Sequence, residues 1–285
     1  TVAGSIAVRD PNYNYSGNAV FTSLSVSSTD KSVSSSFKST KSGFTLGTEF
    51  EQFEGIYFSP TLSASVENID VEETASTSIK NMEGEYTNMD FTYGVTKDRR
   101  NQVFQPTEGY VARFSQGIPL IQDGSSFMNG ISYNSYHGYN EDLIGVLRLS
   151  AKSMIGVDDD VRLTSRLFIP GRRLRGFTVK KTGPKDGANY IGGNYLTTAG
   201  FEAQLPNLLP ESTRTDIVAF IDTANVWGVD YSSDVNETNK IRASVGVSAN
   251  VFTTVGPLSF TLAQDLSKAD TDKVETFTFR LGTSF

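Results

Sequence analysis

The most regular feature of the chain is an alternation of apolar and polar residues with a period of two. Within 241–251, apolar side chains occupy every second position, and small, polar or charged residues occupy the positions between them. The segments 143–153 and 276–285 show the same alternation. Because successive side chains of a β-strand point to opposite faces of a sheet, this period predicts strands with one apolar and one polar face.

About 13 segments of this kind lie between turn signals, which predicts an all-β protein. No segment has the period of an amphipathic helix, and no short repeat, linker or low-complexity tail is apparent. The predicted strands span residues 1–9, 17–28, 41–52, 56–69, 84–98, 108–119, 126–139, 143–156, 191–205, 213–223, 240–253, 256–264 and 275–285.

The length of these strands separates two all-β architectures. Strands of a soluble sandwich average about five or six residues, and one such fold rarely needs a dozen of them. Strands of an outer-membrane barrel need about 9–11 residues to cross the bilayer at a tilt, with a polar face toward the lumen. The segment lengths, and the charged residues opposite the apolar rows, favour a transmembrane antiparallel β-barrel over a sandwich.

The amino-acid composition and the absence of known motifs disfavour several classes of function. The chain carries 25 Lys and Arg against 32 Asp and Glu, and this acidic balance disfavours sequence-independent binding of nucleic acid. It has no cysteine and a single histidine, His137, and its acidic run 158–160 lacks the spacing of a calcium loop, so no metal site is predicted. No P-loop, dinucleotide fingerprint or Gly-x-Ser-x-Gly motif is present. The chain is therefore not predicted to be an enzyme or to need a cofactor.

The stretch "RRLRGFTVKK", Arg172–Lys181, concentrates five basic residues in ten positions of an otherwise acidic chain. It lies in a predicted connection of unusual length, 157–190, and connections of that length are usually functional or disordered. "GGN" at 192–194 follows this connection, and "FIDTANVW" occupies 220–227. The chain ends with "VGPLSFTLAQDL" and "FTFRLGTSF".

Taken in this order, these motifs resemble the bacterial surface-antigen family of BamA-like outer-membrane protein assembly and translocation barrels. The resemblance covers most of the chain. It implies a signature loop that folds back into the barrel lumen, with Leu174, Arg175, Gly176 and Phe177 as its core, and a strand that starts at Gly192 and Gly193.

The resemblance also implies that Arg175 pairs with Asp222 and holds the loop inside the barrel. Strand parity agrees, because Asp222 points into the lumen if Ile217, Ala219 and Ile221 face lipid. The four flanking basic residues are expected to be solvated or to touch lipopolysaccharide. The resemblance further implies that the last strand is an assembly signal, formed by Phe277, Phe279, Leu281 and Phe285.

Family barrels have about sixteen strands, so about 13 strands suggest an incomplete barrel. Residues 1–285 are expected to be a C-terminal barrel domain, with periplasmic POTRA domains and the first strands missing upstream. Poor independent stability is expected for such a chain, because open strand edges in lipid are costly.

The function implied by the resemblance is insertion of outer-membrane proteins through a lateral seam in the barrel. The implied partners are unfolded outer-membrane client proteins, periplasmic chaperones, assembly lipoproteins and outer-membrane lipids, with no nucleic acid, and the location is the bacterial outer membrane. The alternatives are a two-partner secretion or translocation-module transporter of the same superfamily, or a porin-like channel. The number of POTRA domains encoded upstream discriminates between the superfamily branches.

Overall fold

The computed structural model describes residues 2–30, 37–75, 77–121, 125–157, 159–230, 235–236, 239–254 and 256–282. Thirteen strands form one large antiparallel sheet, as the sequence predicts. These strands are β1 (Val2–Asp10), β2 (Ala19–Asp30), β3 (Phe37–Phe53), β4 (Ile56–Val71), β5 (Gly84–Asp98), β6 (Gly109–Pro119), β7 (Ser126–Asn140), β8 (Leu143–Gly156), β11 (Tyr195–Leu205), β12 (Thr215–Trp227), β14 (Arg242–Thr253), β15 (Gly256–Ser267) and β16 (Phe277–Leu281).

Each strand of this sheet pairs with the next one along the chain, in an up-and-down order. Three two-residue strands, β9 (Lys185–Asp186), β10 (Asn189–Tyr190) and β13 (Val235–Asn236), form a separate small sheet. Both β9 and β10 lie in the long connection 157–194 between β8 and β11. The sequence did not predict this small sheet, because two-residue strands carry no periodicity.

Alternation of exposure along the strands matches the alternation in sequence. On β15, Phe260 and Leu262 are exposed, whereas Thr261 and Ala263 are buried. On β14, Val245 and Val247 are exposed on one face. An apolar face repeated over so many strands would be an unusually large exposed patch on a soluble protein, and it is the lipid-facing surface of a transmembrane barrel.

The sheet curves strongly, because side chains from distant strands meet. Gln105, between β5 and β6, donates a hydrogen bond of 2.9 Å to Asp216 on β12. Phe104 also meets Phe252 of β14 edge to face, with 6.1 Å between the ring centroids. Three strands of the sheet lie between β6 and β12, so these contacts require the sheet to bend around a lumen. The sheet is not closed, since no ladder joins β1 to β16 among the described residues.

The inner face is less polar than the sequence suggested. On β12 the inward side chains Val218, Phe220, Ala224 and Val226 are all buried, and Asp222 lies among them. The expected wet row of polar residues is absent from this strand because the long connection packs against it. Strand β12 continues to Trp227 rather than ending near residue 223, because its last residues pair with the first residues of β11.

Helical structure in the described residues is confined to single turns. These are the α-helical turn Thr77–Lys80 and the 3₁₀ turns Tyr13–Tyr15 and Glu211–Thr213. The sequence predicted no helix, and segments this short give no detectable period of 3.6. No helix in the described part of the chain has the length and apolar character needed to cross a membrane.

A hydrophobic cluster at one end of the lumen joins the long connection to distant strands. Leu163 and Ile191 of the connection pack with Phe37 of β3, Ile69 of β4 and Ile79 of the helical turn. Leu163 is 2% exposed and Ile69 is fully buried. These contacts hold the connection against the β3 and β4 side of the sheet.

We expect Leu163→Ala to destabilise the protein by about 2–5 kcal/mol, because it leaves a cavity in this cluster. Leu24→Ala is the matched control, since Leu24 is 61% exposed on the outer face. The measurement is the temperature at which the refolded full-length protein loses compact migration on a gel. Equal losses in the two variants would mean that the cluster does not stabilise the fold.

Candidate functional site

The motif Leu174–Phe177 lies inside the curved sheet, and all four residues are buried. A turn precedes it, in which the Arg173 amide donates to the Pro170 carbonyl over 2.8 Å. Gly176 has φ +85°, a left-handed conformation that glycine adopts without the strain a side chain would cause. The turn and the glycine together direct Arg175 toward β12.

Three hydrogen bonds join Arg175 to Asp222. The Arg175 Nε donates to Asp222 Oδ2 over 2.7 Å, and Nη2 donates to Oδ1 over 2.8 Å. The Arg175 backbone amide also donates to Oδ2, over 3.0 Å. The carboxylate therefore fixes both the guanidinium plane and the backbone of the motif, which a single point charge would not do.

Glu202 of β11 is a second carboxylate in this site. Its Oε1 lies 2.9 Å from Arg175 Nη2 and 2.6 Å from Arg148 Nη1 of β8. The ring of Phe220 covers the guanidinium, with 3.5 Å from the Arg175 Cζ to the ring centroid. Buried charges are stable only when they are paired in this way.

Adjacent strands place these carboxylates side by side. Gly200 of β11 lies opposite Asp222 of β12, and Glu202 lies opposite Phe220. A Cβ on Gly200 would lie 3.1 Å from Asp222 Oδ1, so the glycine leaves room for the carboxylate. The sequence motifs did not predict a role for Glu202. Strand parity could have predicted that Glu202 points into the lumen, because the neighbouring Phe201 faces outward.

Backbone pairing ties the motif to the connection that precedes the last strand. The Glu275 amide donates to the Gly176 carbonyl over 2.9 Å, and Phe177 forms an antiparallel bridge with Val274. Glu275 therefore pairs with the motif instead of starting a strand. For this reason β16 begins at Phe277, two residues later than predicted.

Apolar packing supports the same segment. Leu174 and Phe177 are 1% and 4% exposed, and they pack with Ile169, Leu196 and Val226. Gly176 lies against β14 and β15, where a Cβ would be 2.8 Å from the Ala263 Cβ. Neither a larger residue nor a left-handed non-glycine residue fits this position without a shift of the sheet.

Gly192 and Gly193 lie immediately before β11 rather than within it, since the strand begins at Tyr195. Gly192 has φ +72°, which interrupts the extended backbone. Gly193 exchanges two backbone hydrogen bonds, of 2.8 and 2.9 Å, with Leu167 of the long connection. The pair therefore closes the base of the connection, and the predicted strand start at residue 191 is wrong by four residues.

Two further arginines hold the long connection in place, Arg162 against the sheet and Arg166 against the connection that follows β12, and no sequence pattern predicts these contacts. Arg162 donates to Asn88 of β5, lies 3.7 Å from Glu67 of β4 and lies over the Tyr86 ring. Arg166 Nη2 lies 2.7 Å from Asp230 Oδ1. Irregular connections have no periodicity from which such contacts could be inferred.

The flanking basic residues differ from one another. Arg172 and Lys180 are exposed, as expected, and the Nζ of Lys181 lies 5.3 Å from the centroid of the Tyr190 ring. Arg173 is half-buried, which departs from the expectation of a solvated side chain. Burial lowers the pKa of Arg173, and the nearby Arg148 cation acts in the same direction.

The predicted assembly-signal residues lie on the last strand. Phe277, Phe279 and Leu281 are more than half exposed on the outer face, and Phe279 packs on Phe260 with 5.1 Å between the centroids. Phe285 lies outside the described residues. Their position faces the lipid, and their role in assembly stays a prediction.

The described residues contain no group of three histidine or acidic side chains placed to hold a metal ion. His137 is exposed near the end of β7 and meets Tyr139 edge to face, with 4.7 Å between the centroids. This contact places it among aromatic side chains at a strand end.

These features define the class of protein: an up-and-down membrane barrel with a connection docked on its inner face. Comparison with known protein families agrees with this class, because the model of the Omp85 superfamily domain matches residues 3–285. The chain belongs to the Omp85 superfamily, and the family resemblance predicted from its motifs is confirmed.

This chain spans 30% of one BamA relative and 61% of another. The outer membrane protein assembly factor BamA of Neorickettsia risticii (strain Illinois) is 25% identical over 222 residues, which are 76% of this chain and 30% of that protein. BamA from Haemophilus ducreyi lacking POTRA domains 1–3 is 20% identical, with a TM-score of 0.85 over 97% of this chain and 61% of that chain.

Structural likeness extends to a second kind of relative. CdiB from Escherichia coli has a TM-score of 0.59 at 14% identity, over 97% of this chain and 51% of that chain. CdiB from Acinetobacter baumannii has a TM-score of 0.55 at 11% identity, over 92% of this chain and 46% of that chain. At these identities the likeness concerns the fold alone, and the barrel is more similar to the BamA structure.

We expect Asp222→Asn to release the docked segment, because it removes one partner of a buried ion pair, a loss of about 3–5 kcal/mol. The chain has no cysteine, so Thr182→Cys supplies a single reporter thiol at a position that is 3% exposed. Maleimide labelling of this thiol should accelerate at least about 100-fold in Asp222→Asn. Asp265→Asn is the control, since its ion pair with Lys268 is partly exposed. Equal labelling rates in the two variants would contradict the docking role of Asp222.

We also expect Gly176→Ala to increase labelling of the same thiol by about tenfold or more relative to Gly187→Ala. Both glycines have positive φ, so both variants carry the backbone strain. A Cβ at 176 also collides with Ala263, whereas a Cβ at 187 has no atom within 4 Å. The comparison therefore isolates the close packing of the motif. Indistinguishable labelling would show that this packing does not hold the segment.

Proposed function

We propose that this chain is the membrane barrel of an outer-membrane protein assembly factor, which inserts client barrels through a lateral seam. The observation that carries the proposal is the docked Leu174–Phe177 motif, held by Asp222 and Glu202 within a barrel of BamA-like fold. The name of the Neorickettsia relative supports the same activity.

The edges of the sheet supply a mechanism for client binding. Strand β16 pairs only with β15 among the described residues, so its outer edge has no partner strand there. A strand edge has unpaired N–H and C=O groups that can pair with an incoming extended segment. We propose that a client strand pairs at the edge of β16 and that burial of its apolar face in lipid drives release, without a nucleotide cofactor.

The docked connection argues against an open porin. Contacts of this connection reach β4 and β5 through Arg162, and β11 and β12 through Arg175. A segment attached to both of these regions occupies lumen that a diffusion channel would leave free. We therefore prefer assembly to passive transport.

The orientation follows from the lengths of the connections. The short connections 54–55, 141–142 and 254–255 lie at one end of the strands, and the long ones 157–194 and 228–241 lie at the other. Outer-membrane barrels have short periplasmic turns and longer extracellular loops. We propose an outer-membrane location in which the docked connection enters the lumen from outside, with POTRA domains and opening strands in the rest of the protein.

The partners belong to the same proposal. Unfolded outer-membrane proteins would be the clients, and periplasmic chaperones and assembly lipoproteins would deliver or receive them. Outer-membrane lipids and lipopolysaccharide would surround the exposed apolar face, which includes Phe277 and Leu281. The superfamily alternative is a secretion transporter, which exports a soluble passenger instead of inserting a barrel.

The test uses the full-length gene product in liposomes, with an unfolded client barrel added from the periplasmic side. We expect the protein to accelerate client folding at least about tenfold, measured as heat-resistant compact migration of the client. Asp222→Asn should lose most of this acceleration, and Asp265→Asn should keep it. Absence of acceleration, together with export of a soluble passenger, would replace the assembly proposal with the transporter.

A further inference from the structure

A row of polar side chains crosses four neighbouring strands, β5 to β8. Gln116 of β6 lies opposite Tyr93 of β5 and Asn129 of β7, and Asn129 in turn lies opposite Ser153 of β8. The Tyr93 hydroxyl donates to Gln116 Oε1 over 2.7 Å, and Gln116 Nε2 donates to Asn129 Oδ1 over 2.7 Å. Asn129 Nδ2 donates to Ser153 Oγ over 3.3 Å. The four side chains therefore form one hydrogen-bonded row.

This row faces the lipid rather than the lumen. Met128 and Met154, the chain neighbours of Asn129 and Ser153, line an inner cavity together with Arg162 of the docked connection. Because side chains alternate between the two faces of a strand, Asn129 and Ser153 point outward. Hydrocarbon offers polar groups no hydrogen bonds, so an outward polar row is costly unless its groups are paired. A polar group of a ligand would therefore be stabilised at this row.

A groove of about 380 Å³ opens on this outer face, and Asn129 and Ser153 are among the residues that line it. The small side chain of Ala151 lies between Ile131 and Thr197 of the neighbouring strands, which leaves a depression there. Larger aromatic side chains complete the wall: Phe114, Tyr195 and Trp227. The groove therefore combines a mainly apolar wall with hydrogen-bonding groups from the row.

Asn129 and Ser153 each keep a donor that the row does not use. A primary amide has two N–H bonds, and one of those of Asn129 is directed at Ser153. Ser153 accepts that hydrogen bond, so its own O–H proton can be donated to another group. An oxygen acceptor supplied by a ligand would satisfy both donors, which bulk hydrocarbon cannot do.

The groove lies close to one end of the strands. Asn129 follows the start of β7 at Ser126 by three residues, and Ser153 precedes the end of β8 at Gly156 by three. Three residues span about 10 Å along a strand, or about 7–8 Å of depth at the tilt of a barrel strand. The interfacial layer on each side of the hydrocarbon core is about 5–8 Å thick. The two donors therefore lie near the depth at which acyl chains join the polar part of a lipid.

We propose that this groove binds one acyl chain of a diacyl phospholipid, whose ester carbonyl accepts hydrogen bonds from Asn129 and Ser153. The carbonyl oxygen is the acceptor that the two donors need, and the hydrocarbon chain covers the apolar wall. A lipid reaches the groove directly, because the groove opens on the lipid-facing surface. Lys152, the charged residue of the lining, faces the lumen by strand alternation. The site therefore selects the linkage and the chain rather than the charge of the head group.

This site goes beyond the proposed function, because lipid binding needs neither a client nor a free strand edge. A secretion transporter of the same fold could hold the lipid equally well. Loss of lipid binding and loss of client folding are therefore separate outcomes.

The test uses the full-length protein purified in neutral detergent, with ester-linked or ether-linked phosphatidylcholine of equal chain length added. Native mass spectrometry measures how much of each lipid the protein retains. The two lipids share the head group and the chains and differ only in the carbonyl groups. We expect the ester lipid to be retained at least about fivefold more strongly than the ether lipid.

Variants of the groove separate the two parts of the site. Asn129→Leu with Ser153→Ala should lower the ratio of ester to ether retention to about one. Gln264→Leu is the control and should keep the ratio, since Gln264 is exposed opposite Val245 on the outer face and does not line the groove. Ala151→Phe fills the depression and should weaken retention of both lipids at least about fivefold. An unchanged temperature for loss of compact migration verifies the fold of each variant.

Three outcomes would overturn the proposal. The first is equal retention of the ester and ether lipids by the unaltered protein, which would mean that no carbonyl is recognised. The second is a preference for the ester lipid that survives Asn129→Leu with Ser153→Ala, because the carbonyl would then bind elsewhere. The third is a dimer that forms without retained lipid and is lost in Ala151→Phe, which would replace the lipid with a second copy of the chain.

Discussion

The buried guanidinium of Arg175 is the constraint on which the rest of the structure depends. A charge brought into the lumen loses most of its water, and that loss is offset only by partners with fixed geometry. Asp222 and Glu202 provide this geometry because they project from two adjacent paired strands, and the Phe220 ring covers the remaining face. The position of Arg175 therefore determines which side chains β11 and β12 direct into the lumen.

Several small or apolar residues follow from that constraint. Gly200 leaves space for the Asp222 carboxylate, and Gly176 allows the turn and the close approach to Ala263. The inward side chains Ala224 and Val226 are apolar because they face Leu174 and Phe177 rather than water. An inner face that is mostly apolar is exceptional for a strand of a wet lumen, and on β12 it marks the surface on which the loop docks.

The sequence was sufficient for the large sheet because period-two alternation is a local signal, and it recurs in strands as different as β5 and β15. The contact between Arg175 and Asp222 could be predicted only from the family motifs, and strand parity supports it. Strand parity also predicts that Glu202 points inward. It does not predict the contacts of Arg162 and Arg166, because their segment is irregular and their partners lie far away in the chain. The strand ends near Gly192 and Glu275 were misplaced for a related reason, because their backbones pair with the loop instead of continuing a ladder.

The contacts of the long connection also explain how an unclosed sheet keeps its curvature. Among the described residues no ladder joins β1 to β16, and contacts of this connection span the lumen instead. Arg162 holds the connection to β4 and β5, Arg175 holds it to β11 and β12, and Gly176 pairs with Glu275 just before β16. One segment thus links the early strands, the late strands and the edge. A wall braced from within can keep its curvature while the edge of β16 stays available for pairing, without breaking backbone hydrogen bonds in lipid.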